Sequence, residues 1–213
     1  MRRRTSNISV KVAGLVLAAG MSKRAGNVNK LLQLHEGTAL VQHVLNALMD
    51  SRVNSTLIVL GHDASLVEQT VSNSVVAVSV NKDYALGQST SLVHGVSLLY
   101  EFDAVVVCLG DMPHITTDVI NTLIHSMQKN PEKSFFVPVF NGRRGNPVLI
   151  TKERFNSVLS LKGDTGARSL MSNEPEAVME VQVASEGVLI DYDTPEELEL
   201  LRAGDVRPVT GAR

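Results

Sequence analysis

Short apolar runs alternate along the chain with stretches in which apolar residues recur every three or four positions. The runs predict β-strands, because consecutive apolar and β-branched residues are typical of strands buried on both faces. The predicted strands are Val12–Ala19, Val53–Leu60, Val75–Val80, Ala104–Leu109, Ser134–Val139, Pro147–Ile150, Ala177–Val183 and Val188–Ile190.

The stretches between the runs have the spacing of amphipathic helices. Predicted helices begin at Thr38, after a cap at Asp63, near Ser89, at Thr116 or Thr117, at Lys152, at Ala167 and at Thr194. The last helix opens with Thr194, Pro195 and Glu197, a typical helix start, and is expected to end near Gly204. Strands alternating with helices predict a three-layer α/β/α fold with a mostly parallel, Rossmann-like sheet. We expect one domain at 12–204, with flexible ends at 1–11 and 205–213.

Composition excludes several classes of protein. The chain has 213 residues, enough for one substantial core, and a net charge of −2, so no basic field suggests a nucleic-acid partner. The basic start is followed by polar residues, which is unlike a secretory signal, and no apolar run has the length of a membrane helix. A lone cysteine, Cys108, forms no internal disulfide and fits a reducing compartment. We therefore expect a cytoplasmic protein with no membrane partner.

The loop after the first predicted strand has the composition of a phosphate-binding site. It runs from Gly20 to Lys30 and contains two glycines and three cations. Glycine lets backbone N–H groups approach phosphate oxygens closely, Arg24 can pair with two oxygens, and Lys30 supplies a compact charge. The spacing matches neither a Walker loop nor a dinucleotide fingerprint. An ordinary connecting loop with surface cations is the alternative.

Carboxylates follow two other predicted strands. Asp111 comes after Ala104–Leu109 and Gly110, where it suits a divalent metal, although turn and capping aspartates are common there. Of Asp191 and Asp193, one could complete the metal site while the other caps the final helix, or both could cap. Because ligands bind at the carboxyl ends of parallel strands, we expect these loops to converge on one crevice.

Three segments together resemble one family. The run Leu17-Ala-Ala-Gly-Met-Ser-Lys-Arg-Ala-Gly26, followed by Lys30, is similar to a signature of nucleotidyltransferases, and nearest to the branch that attaches CMP or GMP to molybdopterin. The segments Leu109–Thr116 and Ile190–Leu198 resemble further motifs of that family in the same order. The resemblance implies the nucleotide-diphospho-sugar transferase fold and Mg²⁺, with Mn²⁺ as a substitute, held by Asp111 and Asp193.

The resemblance also implies roles for individual residues. Catalytic roles fall on Arg24, Lys30 and Asp111. Nucleotide contacts are implied for Leu17, Ala18, Ala19, Gly20, Ser22, Arg24, Lys30, Gly87, Ser89 and Gly110. For Gly87 and Ser89, in a segment Tyr84–Ser91 that is also similar to the family, simple helix capping is the alternative.

Two further segments resemble the pterin side of the family. Gly142–Pro147 matches a Gly-x-x-Gly-His-Pro element except that Asn146 replaces the histidine, so a role of that histidine is not carried over. Gly163–Arg168 resembles a Gly-Asp-x-Gly-Ala-Arg element. Arg143, Arg144, Asn146 and Arg168 are the candidate substrate contacts, and solvation of the two hairpin arginines is the alternative.

The implied activity is transfer of a nucleotidyl group to molybdopterin with release of pyrophosphate. The tripeptide Ala18-Ala19-Gly20 resembles the cytidylyl branch, whereas the six-residue step from Arg24 to Lys30 resembles the guanylyl branch; CTP is favoured. The alternatives are a guanylyl or sugar-phosphate nucleotidyltransferase, or a non-catalytic carrier that delivers the molybdenum cofactor to a client molybdenum hydroxylase.

Overall fold

A computed structural model describes residues 10–22, 29–163 and 165–202. The predictions for Arg24, Asp164, the end of the last helix near Gly204 and most of both terminal segments therefore lie outside the described residues. All other predicted site residues are described.

The described residues form ten β-strands. They are β1 (Val12–Ala18), β2 (Leu34–His35), β3 (Thr38–Ala39), β4 (Ser55–Leu60), β5 (Ala77–Val80), β6 (Ala104–Leu109), β7 (Phe135–Phe140), β8 (Arg143–Arg144), β9 (Val148–Thr151) and β10 (Val178–Gln182). Strands β2 and β3 form a separate antiparallel pair, and the other eight form one sheet.

Seven α-helices lie between the strands of the described ranges. They are α1 (Leu40–Met49), α2 (Ala64–Val71), α3 (Gln88–Leu98), α4 (Thr117–Lys129), α5 (Phe155–Leu159), α6 (Ala167–Asn173) and α7 (Pro195–Arg202). Short 3₁₀ helices cover Lys30–Leu32, Tyr84–Leu86, Lys152–Arg154, Pro175–Ala177 and Glu186–Leu189. Within these ranges, no helix has both the length and the apolar character needed to cross a bilayer.

The sheet is mostly parallel, as predicted. Its strand order is β10-β7-β9-β6-β1-β4-β5, with β8 paired to the edge of β7. The pairs of β1 with β4 and β6, of β4 with β5, and of β7 with β10 are parallel, whereas β9 is antiparallel to both of its neighbours. Strand β1 is therefore central, and the loops after β1 and β6 leave the same edge of the sheet side by side.

Helices cover both faces of the sheet, which confirms the three-layer prediction. One face carries an apolar cluster with residues of α1, α2 and α4, and the opposite face carries a cluster with residues of α3, α5 and α6. Alternate residues of β1, such as Leu15 and Val16, enter opposite clusters, as the pleat of a strand requires. Cys108 is buried in the first cluster as a free thiol, and burial raises its pKa.

Local predictions are wrong in three places. Val188–Ile190 is not a strand, because the 3₁₀ helix Glu186–Leu189 takes its place and the Ser185 hydroxyl accepts a hydrogen bond from the N–H of Gly187 (3.2 Å). Thr38 belongs to β3, and α1 begins two residues later. Asp63 precedes α2 but makes no capping bond; its carboxylate instead accepts a hydrogen bond from the Asn29 side-chain amide (3.3 Å).

Two glycines pack the segment before Asp191 tightly against the sheet. A Cβ atom at Gly145 would overlap the carbonyl oxygen of Val188, and a Cβ atom at Gly187 would overlap the carbonyl oxygen of His114. The N–H of Asn146 also donates to the Val188 carbonyl (2.9 Å). These backbone contacts bring the C-terminal segment back to the loop after β6.

Three histidine rings form a cluster in which they meet edge to face or tilted. The ring of His35 lies 5.0 Å from the ring of His114 and 5.4 Å from that of His43. The Nε2 atom of His114 is hydrogen bonded to the hydroxyl of Tyr192 (2.8 Å). The side chain of Tyr192 is fully buried. Burial lowers the pKa of His114, the charges of His35 and His43 lower it further, and Glu36 opposes them weakly. His114 is therefore a neutral partner of Tyr192 near pH 7.

The packing at Gly145 predicts a large effect of a single methyl group. Gly145→Ala should lower the free energy of unfolding by about 1–3 kcal/mol, the usual cost of overpacking, because the added atom meets backbone rather than a flexible side chain. Urea denaturation measures this difference. Gly20→Ala is the matched control, since a Cβ atom there has nothing within 4 Å. Equal stability of the two variants would contradict the packing described above.

The histidine cluster predicts that the free energy of unfolding depends on pH. With its pKa lowered in the folded state from the usual 6.5, His114 binds fewer protons when folded, so its contribution is complete above pH 6.5 and is lost as pH falls through the folded-state pKa. Unfolding free energies measured from pH 7.5 to 5 should fall less steeply for His114→Gln than for the wild type. His125→Gln, at an exposed site of α4, is the control and should keep the wild-type slope.

Candidate active site

The site begins where β1 ends. The carbonyl of Leu17 accepts a hydrogen bond from the N–H of Gly110 (3.1 Å), so the loops after β1 and β6 start together. Ala18 and Ala19 are buried, and Gly20 is exposed. The carbonyl of Ala19 accepts a weaker bond from the N–H of His62 (3.4 Å), which fixes the chain just before Gly20.

Open space lies beside Gly20. Among the residues that the structure describes, no atom lies within 4 Å of a Cβ placed there, so their packing gives no reason for glycine at this position. Ser22 adopts a positive φ of 48°, and its hydroxyl accepts a hydrogen bond from the N–H of Lys30 (3.4 Å). The two ends of the predicted phosphate loop therefore meet, while Arg24 lies in the part between them that is outside the described residues.

A short helical turn fixes the backbone of Lys30. Asn29 precedes the 3₁₀ helix Lys30–Leu32, and its side-chain oxygen accepts a hydrogen bond from the N–H of Leu31 (3.1 Å). Leu31 is buried over Gly110, where a Cβ atom would lie 3.1 Å from its Cδ2 atom. This packing holds Lys30 directly beside the loop that carries Asp111.

The ammonium of Lys30 lies between two carboxylates. It forms an ion pair with Oδ2 of Asp111 and another with Oδ1 of Asp193, the latter at 2.6 Å. The side chains of Lys30, Asp111 and Asp193 are only 13%, 14% and 9% exposed. Burial alone would lower the pKa of Lys30, but the charges and hydrogen bonds of the two carboxylates outweigh it and raise the pKa above its ordinary value. Lys30 is therefore a cation at neutral pH.

The backbone around Asp193 is held by a reciprocal helix cap. The carboxylate of Glu197 accepts hydrogen bonds from the N–H groups of Asp193 (2.7 Å) and Thr194 (3.0 Å), and the Thr194 hydroxyl accepts one from the N–H of Glu197 (3.3 Å). This is a capping box, and Thr194 rather than either aspartate occupies the N-cap position of α7. The N–H of Tyr192 donates to the carbonyl of Asp111 (3.3 Å), which joins the two acidic segments.

The donor set fits a divalent metal. Oδ1 of Asp111 is buried and has no hydrogen-bond partner among the described residues, although a buried oxygen of this kind normally has one. Mg²⁺ and Mn²⁺ favour carboxylate oxygens, and Mg²⁺ is often held by one or two carboxylates together with phosphate oxygens and water. Among the residues that the structure describes, no group of three or more His, Cys, Asp or Glu side chains could hold a metal. Asp111 and Asp193 would therefore share the ion with phosphate oxygens and water.

The predicted segment at the start of α3 lies next to the first loop. A Cβ atom at Gly61 would lie 2.8 Å from that of Ala19 and 2.7 Å from that of Tyr84, so three segments meet there. Gly87 then begins α3 with a φ of 126°, a conformation that L side chains rarely adopt.

Ser89 is turned toward a different loop. Its hydroxyl and its N–H both donate to the carbonyl of Gly163, at 2.7 and 3.2 Å. The loop before α6 is thereby attached to the start of α3. Contact of Gly87 or Ser89 with a nucleotide stays a prediction.

The candidate substrate contacts lie elsewhere along the sheet. Arg143 and Arg144 form β8 beside β7, three strands from β1 in the sheet order. Arg144 pairs with Glu180 (2.7 Å), and both of these side chains are about half exposed (46% and 49%). Asn146 is tied by its backbone to Val188, and Arg168 is exposed on the first turn of α6. No contact of the described residues tests their substrate roles.

Sequence reasoning missed two residues that build the site, and it placed a third, Glu197, only in the start of the last helix. Tyr192 carries the link between the acidic segments, His114 supports its hydroxyl, and Glu197 holds the backbone of Asp193. The spacing of Thr194 and Glu197 is a capping-box signature and could have identified the role of Glu197. Nothing in the local sequence distinguishes Tyr192 or His114 from ordinary core residues.

Several relatives match nearly the whole chain. A purine catabolism protein, PucB of Bacillus subtilis, is 31% identical over 199 residues, which cover 89% of this chain and 95% of that protein. A molybdenum cofactor cytidylyltransferase of Escherichia coli is 28% identical, covering 86% and 91%, and a nicotine blue oxidoreductase of Paenarthrobacter nicotinovorans is 27% identical, covering 88% and 94%.

Solved structures with the same fold also match nearly the whole chain. Rv0371c of Mycobacterium tuberculosis superimposes with a TM-score of 0.80 at 25% identity, covering 90% of this chain and 97% of that one. A CMP:2-keto-3-deoxy-manno-octonic acid synthetase complexed with CTP has a TM-score of 0.71 at 17% identity, covering 91% and 97%, and shows the shared fold. The fold is that of the nucleotide-diphospho-sugar transferases. The MobA-like NTP transferase domain matches residues 14–178, and the chain belongs to that nucleotidyltransferase family.

Proposed function

We propose that this protein transfers CMP from CTP to molybdopterin and releases pyrophosphate in a Mg²⁺-dependent reaction. The family and fold supply the nucleotidyltransferase chemistry, and nucleotidyltransferases of this fold depend on divalent metals. The base, the acceptor and the identity of the metal are the parts that we propose. One observation carries the proposal: Lys30, Asp111 and Asp193 meet in one cluster, and the N–H of Lys30 is bonded to Ser22, two residues after the exposed Gly20.

Different residues of the chain bind different parts of the triphosphate. The exposed backbone at Gly20 can approach phosphate oxygens closely, and Lys30, with Arg24, neutralises the charge that develops on the departing pyrophosphate. Mg²⁺ held by Asp111 and Asp193 would neutralise α- and β-phosphate oxygens and orient them. Glu197 and Tyr192 keep Asp193 in place during the reaction.

The transfer itself needs no nucleophile from the protein. An oxygen of the molybdopterin phosphate attacks the α-phosphorus of CTP, a new P–O bond forms, and the bond to the bridging oxygen breaks with its electrons on pyrophosphate. The attacking phosphate is already ionised at neutral pH, so no general base is required. Positioning and charge neutralisation are therefore the whole contribution of the site.

Two observations favour cytidine and molybdopterin within the family. The tripeptide Ala18-Ala19-Gly20 resembles the cytidylyl branch. A relative that is 28% identical is a molybdenum cofactor cytidylyltransferase. The relatives named for purine catabolism and for nicotine blue are about as similar, so the acceptor is the part that most needs a direct test.

The first experiment measures pyrophosphate release with Mg²⁺ and intact molybdopterin, offering CTP, GTP, ATP and UTP separately. We expect turnover with CTP alone. Turnover with GTP alone would retain the mechanism and replace the base. Binding of molybdopterin without turnover on any nucleotide would favour the carrier of the molybdenum cofactor, and turnover only with a sugar phosphate would replace the acceptor.

Asp111→Asn tests the metal role in the same assay. It should lower kcat/KM for CTP by at least about 100-fold, since even groups behind a metal ligand cost about 10- to 100-fold. Asp118→Asn removes the same charge at an exposed position of α4 and is the matched control. Full activity of the Asp111 variant would exclude that carboxylate from the reaction.

Gly20→Ala separates nucleotide binding from folding. The added methyl group meets no atom of the described residues, so the melting temperature should stay within about 1 °C of the wild type, because uncoupled exposed sites contribute little to stability. In the proposed site the methyl group enters the space of the phosphates, and KM for CTP should rise about tenfold, a loss of about 1.4 kcal/mol. An unchanged KM would show that the phosphates bind elsewhere.

A further inference from the structure

Lys30 occupies the carboxylate oxygens that a metal ion would use. Its ammonium pairs with Oδ2 of Asp111 and Oδ1 of Asp193, and both carboxylates are largely buried. Two carboxylates this close repel each other unless a cation lies between them. One ammonium leaves the cluster with a net charge of −1, whereas an ammonium and a divalent ion together would give +1 in a confined space.

We propose that Lys30 is an exchangeable counter-ion, which holds the two carboxylates together in the nucleotide-free protein and competes with the divalent metal for them. This inference rests on the proposed function, in which Asp111 and Asp193 bind the metal and Lys30 binds phosphate. Nucleotide phosphates attract the ammonium away from the carboxylates and thereby open them to the metal. Binding of metal and nucleotide is then coupled, and by linkage each strengthens the other.

The local structure allows this exchange without a change of backbone. The N–H of Lys30 donates to Ser22, and Asn29 and Leu31 fix the turn around it. The side chain beyond Cα is a flexible four-carbon stem with a compact charge, so the ammonium can change partners while the backbone stays in place. The carboxylates are held independently, since Glu197 fixes the backbone of Asp193 and Tyr192 is bonded to the carbonyl of Asp111.

A bound metal would also satisfy the atom that Lys30 leaves without a partner. Oδ1 of Asp111 is buried and makes no hydrogen bond within the described part of the chain, while Oδ2 pairs with the ammonium. A metal ion that displaces the ammonium can bind either oxygen of this carboxylate or both. The ammonium of Lys30 therefore neutralises neither carboxylate group completely.

The experiment measures Mn²⁺ binding to the nucleotide-free protein by electron paramagnetic resonance, which detects the unbound ion. If Lys30 competes, removal of its charge should tighten Mn²⁺ binding by about 5-fold or more, the lower end of typical coupling between sites. Lys30→Gln and Lys30→Met are two neutral variants, and thermal melting verifies that each is folded. Lys30→Arg keeps the charge and should bind Mn²⁺ more weakly than either neutral variant.

Matched controls separate this inference from the proposed function. Lys129→Gln removes the same charge at the end of α4 and should leave Mn²⁺ affinity unchanged. Asp111→Asn, alone and combined with Lys30→Gln, should abolish Mn²⁺ binding. If it does so while the neutral Lys30 variants bind like the wild type or more weakly, competition is overturned and the metal site stands. If Mn²⁺ binding survives Asp111→Asn, the metal lies elsewhere, and both proposals fail.

Discussion

A single ammonium group between two carboxylates joins three parts of the chain that are far apart in sequence. Lys30 lies 81 residues before Asp111 and 163 residues before Asp193, yet one side chain contacts both. Isolated surface ion pairs contribute little, but these groups are largely buried, and removal of one partner leaves a costly uncompensated charge. The fold therefore has to bring three segments next to each other: the loop after β1, the loop after β6 and the C-terminal segment.

The strand order of the sheet and two closely packed glycines bring these three segments together. Parallel pairing of β1 and β6 places the first two loops side by side, which the sheet order alone guarantees. The third segment returns across β7 and β9, where Gly145 and Gly187 allow backbone to touch backbone. The N–H of Tyr192 is bonded to the carbonyl of Asp111, and Glu197 accepts a hydrogen bond from the N–H of Asp193. The position of Asp193 therefore depends on packing well outside the site.

The proposed function assigns different tasks to the two halves of the sheet. The half around β1 and β6 carries the charged cluster and the open space at Gly20, which suit the triphosphate that the family shares. The candidate acceptor contacts lie around β7, β8 and the loop bonded to Ser89. Relatives of similar identity have different names, which is consistent with a common nucleotide half and a variable acceptor half.

From the sequence we could predict the alternating strands and helices, the three layers, and the position of Asp111 at the end of a buried strand. These features depend on neighbours along the chain: periodicity sets which face is buried, and Thr194 and Glu197 form a cap within one turn. The sequence did not show that Asp193 shares Lys30 with Asp111, that Tyr192 and His114 support it, or that Val188 lies in a 3₁₀ helix rather than a strand. Those outcomes depend on contacts between residues distant in sequence, where packing against a carbonyl or a ring overrides local propensity.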